Sequence, residues 1–376
     1  MPSSDSGSEQ GILGLVERIA ALPASERALI ERLFEVSTAV GRLTVPDSLG
    51  PKVARWYACP GDPGPEAAIE RASRQRVVRT FNRRSCEGTL FNELRARRPL
   101  SGGPTTDLDA RIERAREGCD FCDPWRMTTA DVWGRITGRH GVTAANASMY
   151  ESRHGMVVFR EHHPHRFGRE EVTDYIETAM AWLARTHAED GPEAVRFPFI
   201  MWNCLEKAGA SQPHGHLQMM LTGPRPYARQ VWMMGVAQEY RRATGGDYWS
   251  DWVAAHEVLG LVRRHETTAM VASLTPIKEK EVVLVGGAAV DAPFVEAMAD
   301  VLRAMIDRMG VLSFNAAVYL PPLGGTAGAY DLPVIARVVD RGDPSRPTAD
   351  VGAMELYGTP VVATDPYRVI EGLAAM

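Results

Sequence analysis

The sequence predicts an α+β protein built from two related halves, each an antiparallel sheet with a packed helix. The first observation behind this is the order of elements from 155 to 221. Residues 155–160 are apolar and 169–189 carry Val172, Tyr175, Ile176, Met180 and Leu183 on one helical face. Two further apolar runs follow at 197–202 and 217–221. The second observation is that this order recurs. Residues 281–287 read as a strand, 293–309 as a helix, and 312–320 and 332–339 as strands. The third is size and composition. A chain of 376 residues, 45% hydrophobic and 24% charged, is long enough and apolar enough for two cores.

Taken in order, residues 1–9 are polar and predicted to be disordered. Residues 10–38 show helical periodicity through Ile12, Leu15, Val16 and Ile19, then Leu29, Ile30, Leu33 and Phe34. Ala24-Ser25-Glu26-Arg27 supplies a break between two helices. Residues 1–75 are therefore expected to be a helical extension, 76–225 the first half and 226–376 the second. Residues 76–100 read as two short strands around a Glu87-Gly88 turn, followed by the basic run Arg95-Ala96-Arg97-Arg98. Residues 101–110 are a linker, and a short charged helix leads to Cys119-Asp120-Phe121-Cys122. A strand around 142–148 and the strand 155–160 come next, the latter ending in His162-His163-Pro164-His165. The stretch 222–250 carries no readable motif, and its Met- and Trp-rich parts suit a core or dimer surface. No histidine follows His265, so the second half is expected to be structural.

Charge and composition exclude some functions. A net charge of −5 argues against nucleic-acid binding. No apolar run is long enough to span a bilayer, and the polar N-terminus does not read as a signal peptide, which predicts a cytoplasmic protein. Five cysteines, two of them in a Cys-x-x-Cys, indicate metal or redox chemistry over a disulfide scaffold.

The chemistry is concentrated in Trp202 to Met220, which contains Asn203, Ser211, His214, His216 and Gln218. On an extended chain residues two apart share a face, so His214, His216 and Gln218 are expected together. One imidazole can bind metal while the next acts as a nucleophile toward phosphorus. The Gln218 amide can donate to a phosphoryl oxygen, and Ser211 can add a further donor. Asn203 can fix the phosphate or the loop.

The run Gly209-Ala-Ser-Gln-Pro-His-Gly-His-Leu-Gln218 resembles the active-site motif of galactose-1-phosphate uridylyltransferases and related phosphorylases of the histidine-triad superfamily. The resemblance implies a duplicated histidine-triad fold, a homodimer and nucleotidyl transfer through a covalent nucleotidyl-His216. It also implies a structural zinc held by Cys119, Cys122, His214 and a histidine after the 155–160 strand; alignment on the phenylalanine favours His163, with His162 the alternative. Arg95 and Arg98 match a basic segment that contacts substrate phosphates. Phe121 matches a residue set against the base, and core packing is its plain alternative. Asn146 falls in the ribose-contacting strand, where this chain has Ala147 in place of an expected acid. The substrates implied are a nucleotide or nucleotide sugar and a phosphorylated small molecule. A phosphorylase, a hydrolase of a specialised pathway, and a non-catalytic nucleotide-binding module remain alternatives.

Overall fold

The computed structural model describes residues 11–97, 107–191, 193–324, 332–346, 349 and 351–374. Residues 1–9 and Arg98 lie outside them. Thirteen strands occur among the described residues: β1 Phe34–Arg42, β2 Arg74–Asn82, β3 Gly88–Phe91, β4 Gly141–Ala145, β5 His154–Phe159, β6 Phe197–Cys204, β7 His216–Thr222, β8 Val262–His265, β9 Thr268–Ala272, β10 Val282–Val285, β11 Phe314–Tyr319, β12 Ile335–Asp340 and β13 Val361–Val362.

Nine of them form one antiparallel sheet in the order β4-β5-β7-β6-β11-β12-β10-β9-β8. The two predicted halves are thus the two wings of a continuous sheet. They join where β6 pairs with β11, from Phe314 opposite Cys204 to Tyr319 opposite Phe199. One face carries Ile200, Trp202, Leu217 and Met219 in the first wing and Phe314, Ala316, Val338 and Leu284 in the second, all buried. The two predicted helices, Arg169–Asp190 and Ala292–Asp307, cover this face and pack on each other. Each begins where an acidic side chain takes an orphan backbone N–H. Glu171 accepts from Gly168 at 2.8 Å, and Asp291 accepts from Phe294 at 3.0 Å. Arg169 then clamps Asp300 across the helix pair at 2.7 and 2.6 Å. Trp182, Tyr175 and Trp202 are among the largest fully buried side chains here, each contributing about 2–3 kcal/mol by removing its ring from water.

The opposite face is divided. Over the second wing it is covered by the helices Ala228–Thr244 and Tyr248–Val258, which begin in the stretch that shows no motif in the sequence. Their Met and Trp residues are core: Met233, Trp249 and Trp252 are buried. Over the first wing this face carries only a small cluster, Val142, Ala144, Met156 and Val158, with Phe121 against it.

The N-terminal extension departs from expectation. Helices Leu15–Ala21 and Ala24–Leu33 form as predicted, but at Phe34 the chain turns extended and runs as β1 to Arg42. β1 pairs with β2 along its whole length, so the expected boundary at residue 75 falls inside a strand. The β-branched residues of Val36-Ser37-Thr38-Ala39-Val40 favour a strand, and a partner about 40 residues away decides it. The resulting four-stranded sheet, β1-β2-β3-β13, takes its last strand from the C-terminal region. It is fixed to the second wing by Thr80 Oγ1 donating to the Leu274 carbonyl at 2.6 Å and Thr89 Oγ1 to that of Pro276 at 2.8 Å. No helix of the described residues is long and apolar enough to cross a membrane.

Candidate active site

β7 pairs with β5 and β6, with Gln218 between Met156 and Met201. His216 and Gln218 therefore project from the open face of the first wing, as the period of two predicts. Gly215 between the histidines is dictated by the other face. A Cβ there would lie 2.4 Å from the Phe159 ring, which is itself stacked on Tyr175 at 3.6 Å.

His214 belongs to a separate cluster. Cys119, Cys122, His162 and His214 place one ligand atom each within 4.8 Å of one another. The two Nδ1 atoms are 3.2 Å apart, and the Cys122 sulfur is 3.3 Å from His162 Nδ1 and 3.5 Å from His214 Nδ1. Each imidazole donates its far Nε2–H to a backbone carbonyl, His162 to Ile112 at 2.9 Å and His214 to Phe159 at 2.7 Å. Both Nδ1 atoms thus turn lone pairs inward, an arrangement that only a proton or a cation stabilises. A tetrahedral zinc, with bonds of about 2.05 Å to nitrogen and 2.3 Å to sulfur, separates its ligand atoms by about 3.3–3.8 Å. The donor set and its spacing fit that ion. Burial and the neighbouring Cys119 push the Cys122 thiol up to about 11, and burial pulls His214 down to about 4. The lowered pKa of His214 leaves its imidazole neutral, with the inward Nδ1 lone pair free to ligate.

The third ligand position corrects the sequence expectation. His163 turns away and sets Nε2 3.2 Å from Asp109, while its Nδ1 accepts from the His165 backbone at 3.3 Å. His162, the alternative, occupies the cluster. After Phe159 the chain bends through residues 160–165, so strand parity no longer predicts which of two adjacent histidines faces inward.

His216 is buried and stands edge-on to Phe121, with ring centroids 5.2 Å apart. Its Nδ1–H donates to the His214 carbonyl at 2.9 Å, which leaves the lone pair on Nε2. Burial lowers its pKa, keeping the ring neutral and nucleophilic near neutral pH. Gln218 is held by two donors on its carbonyl oxygen, His154 Nε2–H at 2.9 Å and Asn146 Nδ2 at 3.2 Å. His154 is locked in that tautomer because its Nδ1 accepts from the Tyr150 backbone at 3.1 Å. The amide nitrogen of Gln218 is thus oriented as a donor. His154 has no sequence motif; its role follows from a strand pairing that places it diagonally across from Gln218.

The other predicted residues are distributed as follows. Asn146 sits beside Gln218, and its carbonyl accepts from the Ser148 backbone at 2.9 Å. Asn203 lies on the open face of β6 and accepts from Asn315 Nδ2 at 2.7 Å. Ser211 is exposed in the loop before His214. Arg95 is exposed in the turn Glu93–Arg97 after β3, on the small sheet. That sheet is anchored just beyond β9, five places from β7 in the strand order. Asn315 is a second residue the sequence did not single out, and it comes from the half expected to be structural.

Comparison with solved structures gives the geometry a context. The chain matches an ADP-glucose phosphorylase from Arabidopsis thaliana with bound ADP-glucose at a TM-score of 0.57 and 15% identity, over 77% of this chain and 96% of that one. The chain has that fold. A galactose-1-phosphate-uridylyltransferase-like (GalT-like) protein from Arabidopsis thaliana matches at 0.55 and 15%, over 68% and 91%. A uridylyltransferase matches at 0.53 and 14%, over 64% and 85%. No protein-family model matches the sequence, and no curated protein matches it. The expected architecture of two sheet-plus-helix halves is therefore the architecture found.

Proposed function

We propose that the protein is a nucleotidyltransferase that moves a nucleoside monophosphate between phosphorylated small molecules through a covalent intermediate on His216. The observation that carries this reading is the state of His216: buried, neutral, with its Nδ1–H tied to the His214 carbonyl, its Nε2 bare, and Gln218 two residues on along the same strand face. Nε2 bonds to the α-phosphorus of a nucleotide donor as the bond from that phosphorus to its bridging oxygen breaks. The electron pair leaves with the oxygen on a phosphorylated leaving group. A phosphate oxygen of the acceptor then attacks the same phosphorus and expels Nε2. Gln218, oriented by His154 and Asn146, donates to a phosphoryl oxygen whose charge grows in both steps, and Ser211 in the adjoining loop adds a second donor in this reading. Phe121, edge-on to His216, suits the face of a nucleotide base.

Cys119, Cys122, His162 and His214 would hold zinc, which fixes the chain immediately before His216 and supplies structure to the site. A homodimer fits the exposed apolar residues Trp125, Met127, Val132, Met149 and Tyr150 flanking edge strand β4, and a partner subunit could supply Arg95 and Arg98. Five free cysteines accord with a cytoplasmic location.

The test is intact-protein mass spectrometry after incubation with nucleoside triphosphates, dinucleoside polyphosphates and nucleotide sugars. A gain of one nucleoside monophosphate is expected, acid-labile, absent from His216→Ala, and discharged by the true acceptor, whether inorganic phosphate or a sugar phosphate. An adduct that persists in His216→Ala would remove the nucleophile from this reading.

A further inference from the structure

A sheet ends in two strands whose outer N–H and C=O groups have no neighbouring strand, and proteins usually blunt those edges. Among the described residues the edges are β4 and β8 on the large sheet, and β1 and β13 on the small one. β4 is covered: the Thr143 and Ala145 amides donate to the carbonyls of Ile136 and Thr129 at 2.9 and 3.2 Å, and Arg135 donates to the Thr143 carbonyl at 2.8 Å. β8 is four residues long and carries Arg263, Arg264 and His265, and β13 has two residues. β1 has none of these devices. It is nine residues long, and between Glu35 and Arg42 it reads Val-Ser-Thr-Ala-Val-Gly, without charge or proline. Every residue from Ser37 to Arg42 is exposed.

The direction of each backbone group follows from the pairing with β2. The register runs without a bulge from Phe34 opposite Asn82 to Arg42 opposite Arg74. One step further, the Leu43 amide donates to the Ser73 carbonyl at 3.0 Å, so the odd-numbered residues turn N–H and C=O toward β2. Val36, Thr38 and Val40 therefore turn theirs outward, and among the described residues nothing meets them. The outer part of the ribbon also has no third strand, because β3 pairs only with Val78–Phe81. Two strands alone are marginal in water.

This strand is its own complement. A dyad through Thr38, normal to the sheet, lays a second β1 antiparallel to the first. Thr38 then faces the partner's Thr38, Val36 faces the partner's Val40, and Ser37 faces the partner's Ala39. The three outward residues exchange two backbone bonds with each opposite residue, about six in all, and the Thr–Thr and Val–Val pairs suit a pleated surface. Charge selects the same direction. Arg42 and Arg74 make one end of the ribbon basic, whereas Glu35 at the other end meets Arg83 at 3.1 Å. An antiparallel copy keeps the two basic ends apart, and a parallel copy would set them side by side. We propose that β1 is a contact surface for a second copy of this chain, joined edge to edge about Thr38 so that two four-stranded sheets become one. This contact is distinct from the apolar patch flanking β4, and it rests on no part of the transfer reading.

The test reads mass and register separately. In sedimentation of the full-length chain at tens of micromolar, Thr38→Pro removes one outward N–H and leaves the β2 ladder intact, as proline does on an open edge. It should halve the mass of the assembly, from dimer to monomer or, with the β4 contact also formed, from tetramer to dimer. An unchanged mass, or a wild-type monomer, overturns the proposal, whatever other strand the edge accepts. The second readout is disulfide formation with oxidised glutathione in single-cysteine additions, with the wild type and its own free cysteines as the blank. Directly opposed residues have Cα atoms about 5.5 Å apart, within disulfide reach, and diagonal ones about 7–8 Å apart. Thr38→Cys should therefore form a linked dimer at least about 10-fold faster than Ser37→Cys. Equal rates, or faster linkage through Ser37→Cys, overturn the dyad at Thr38. Linkage needs no proline, so it decides the matter even where Thr38→Pro fails to fold.

Discussion

Two imidazole lone pairs facing each other at 3.2 Å are the clearest statement the site makes at the scale of single residues. The carbonyls of Ile112 and Phe159 fix both rings in that orientation before any ion arrives. Purified protein should therefore contain one zinc per chain by elemental analysis. His162→Ala and Cys122→Ser should reduce this to near zero, and His163→Ala should leave it intact. Retention of zinc by His162→Ala together with its loss from His163→Ala would reverse the assignment. His216 and Gln218 were legible as a pair because a period of two on a strand is a local property, whereas His214 precedes β7 and leaves that face for the cysteine cluster. His154 and Asn315 were not, because each meets its partner only through a strand pairing, and register between distant segments is not written in either segment alone.

Among elements, β12 shows what replaced the histidine motif in the second wing. Its face-bearing residue is Arg337, buried under the small sheet and the Ala228–Thr244 helix and bonded to Glu281 and Glu87. In the sequence this strand reads as an apolar run containing one arginine, and nothing nearby supplies the acids: Glu87 is 250 residues away. Removing the guanidinium leaves Glu281, whose burial already raises its pKa, without a counter-charge. Arg337→Met should cost about 3–5 kcal/mol in urea denaturation, and adding Glu281→Leu should recover part of it. A loss below about 1 kcal/mol would show that the network relaxes or hydrates freely. The helix over 228–244 was not read from the sequence, although Met233, Ala237 and Tyr240 are buried at helical spacing. The end of the second N-terminal helix was harder, because Phe34 continues the apolar periodicity while the following residues obey a strand formed with β2.

For the molecule as a whole, the two predicted halves are correct as a pattern of elements and misleading as domains. β6 and β11 exchange backbone hydrogen bonds across the seam, and the covering helices pack on each other. Separating them would expose two unpaired central edges and the half-covered Trp202 cluster. Scanning calorimetry of the zinc-loaded protein should accordingly give one cooperative transition, with equal calorimetric and van't Hoff enthalpies. Two resolved transitions, one tracking the zinc site, would mean that the wings melt separately.

The small sheet has a consequence for how the chain is made. β3 waits for β13, with Leu90 opposite Val361, and the Ile12 amide donates to Asp365 at 2.7 Å across 353 residues. While the ribosome is still translating, β1, β2 and β3 can form a ribbon, but its β3 edge stays open until residues 361–362 have emerged. A nascent chain can thus assemble His216, Gln218 and the Cys119, Cys122, His162 and His214 cluster well before the small sheet is closed. Synthesis itself would leave the small sheet unfinished until residues 361–365 have been made.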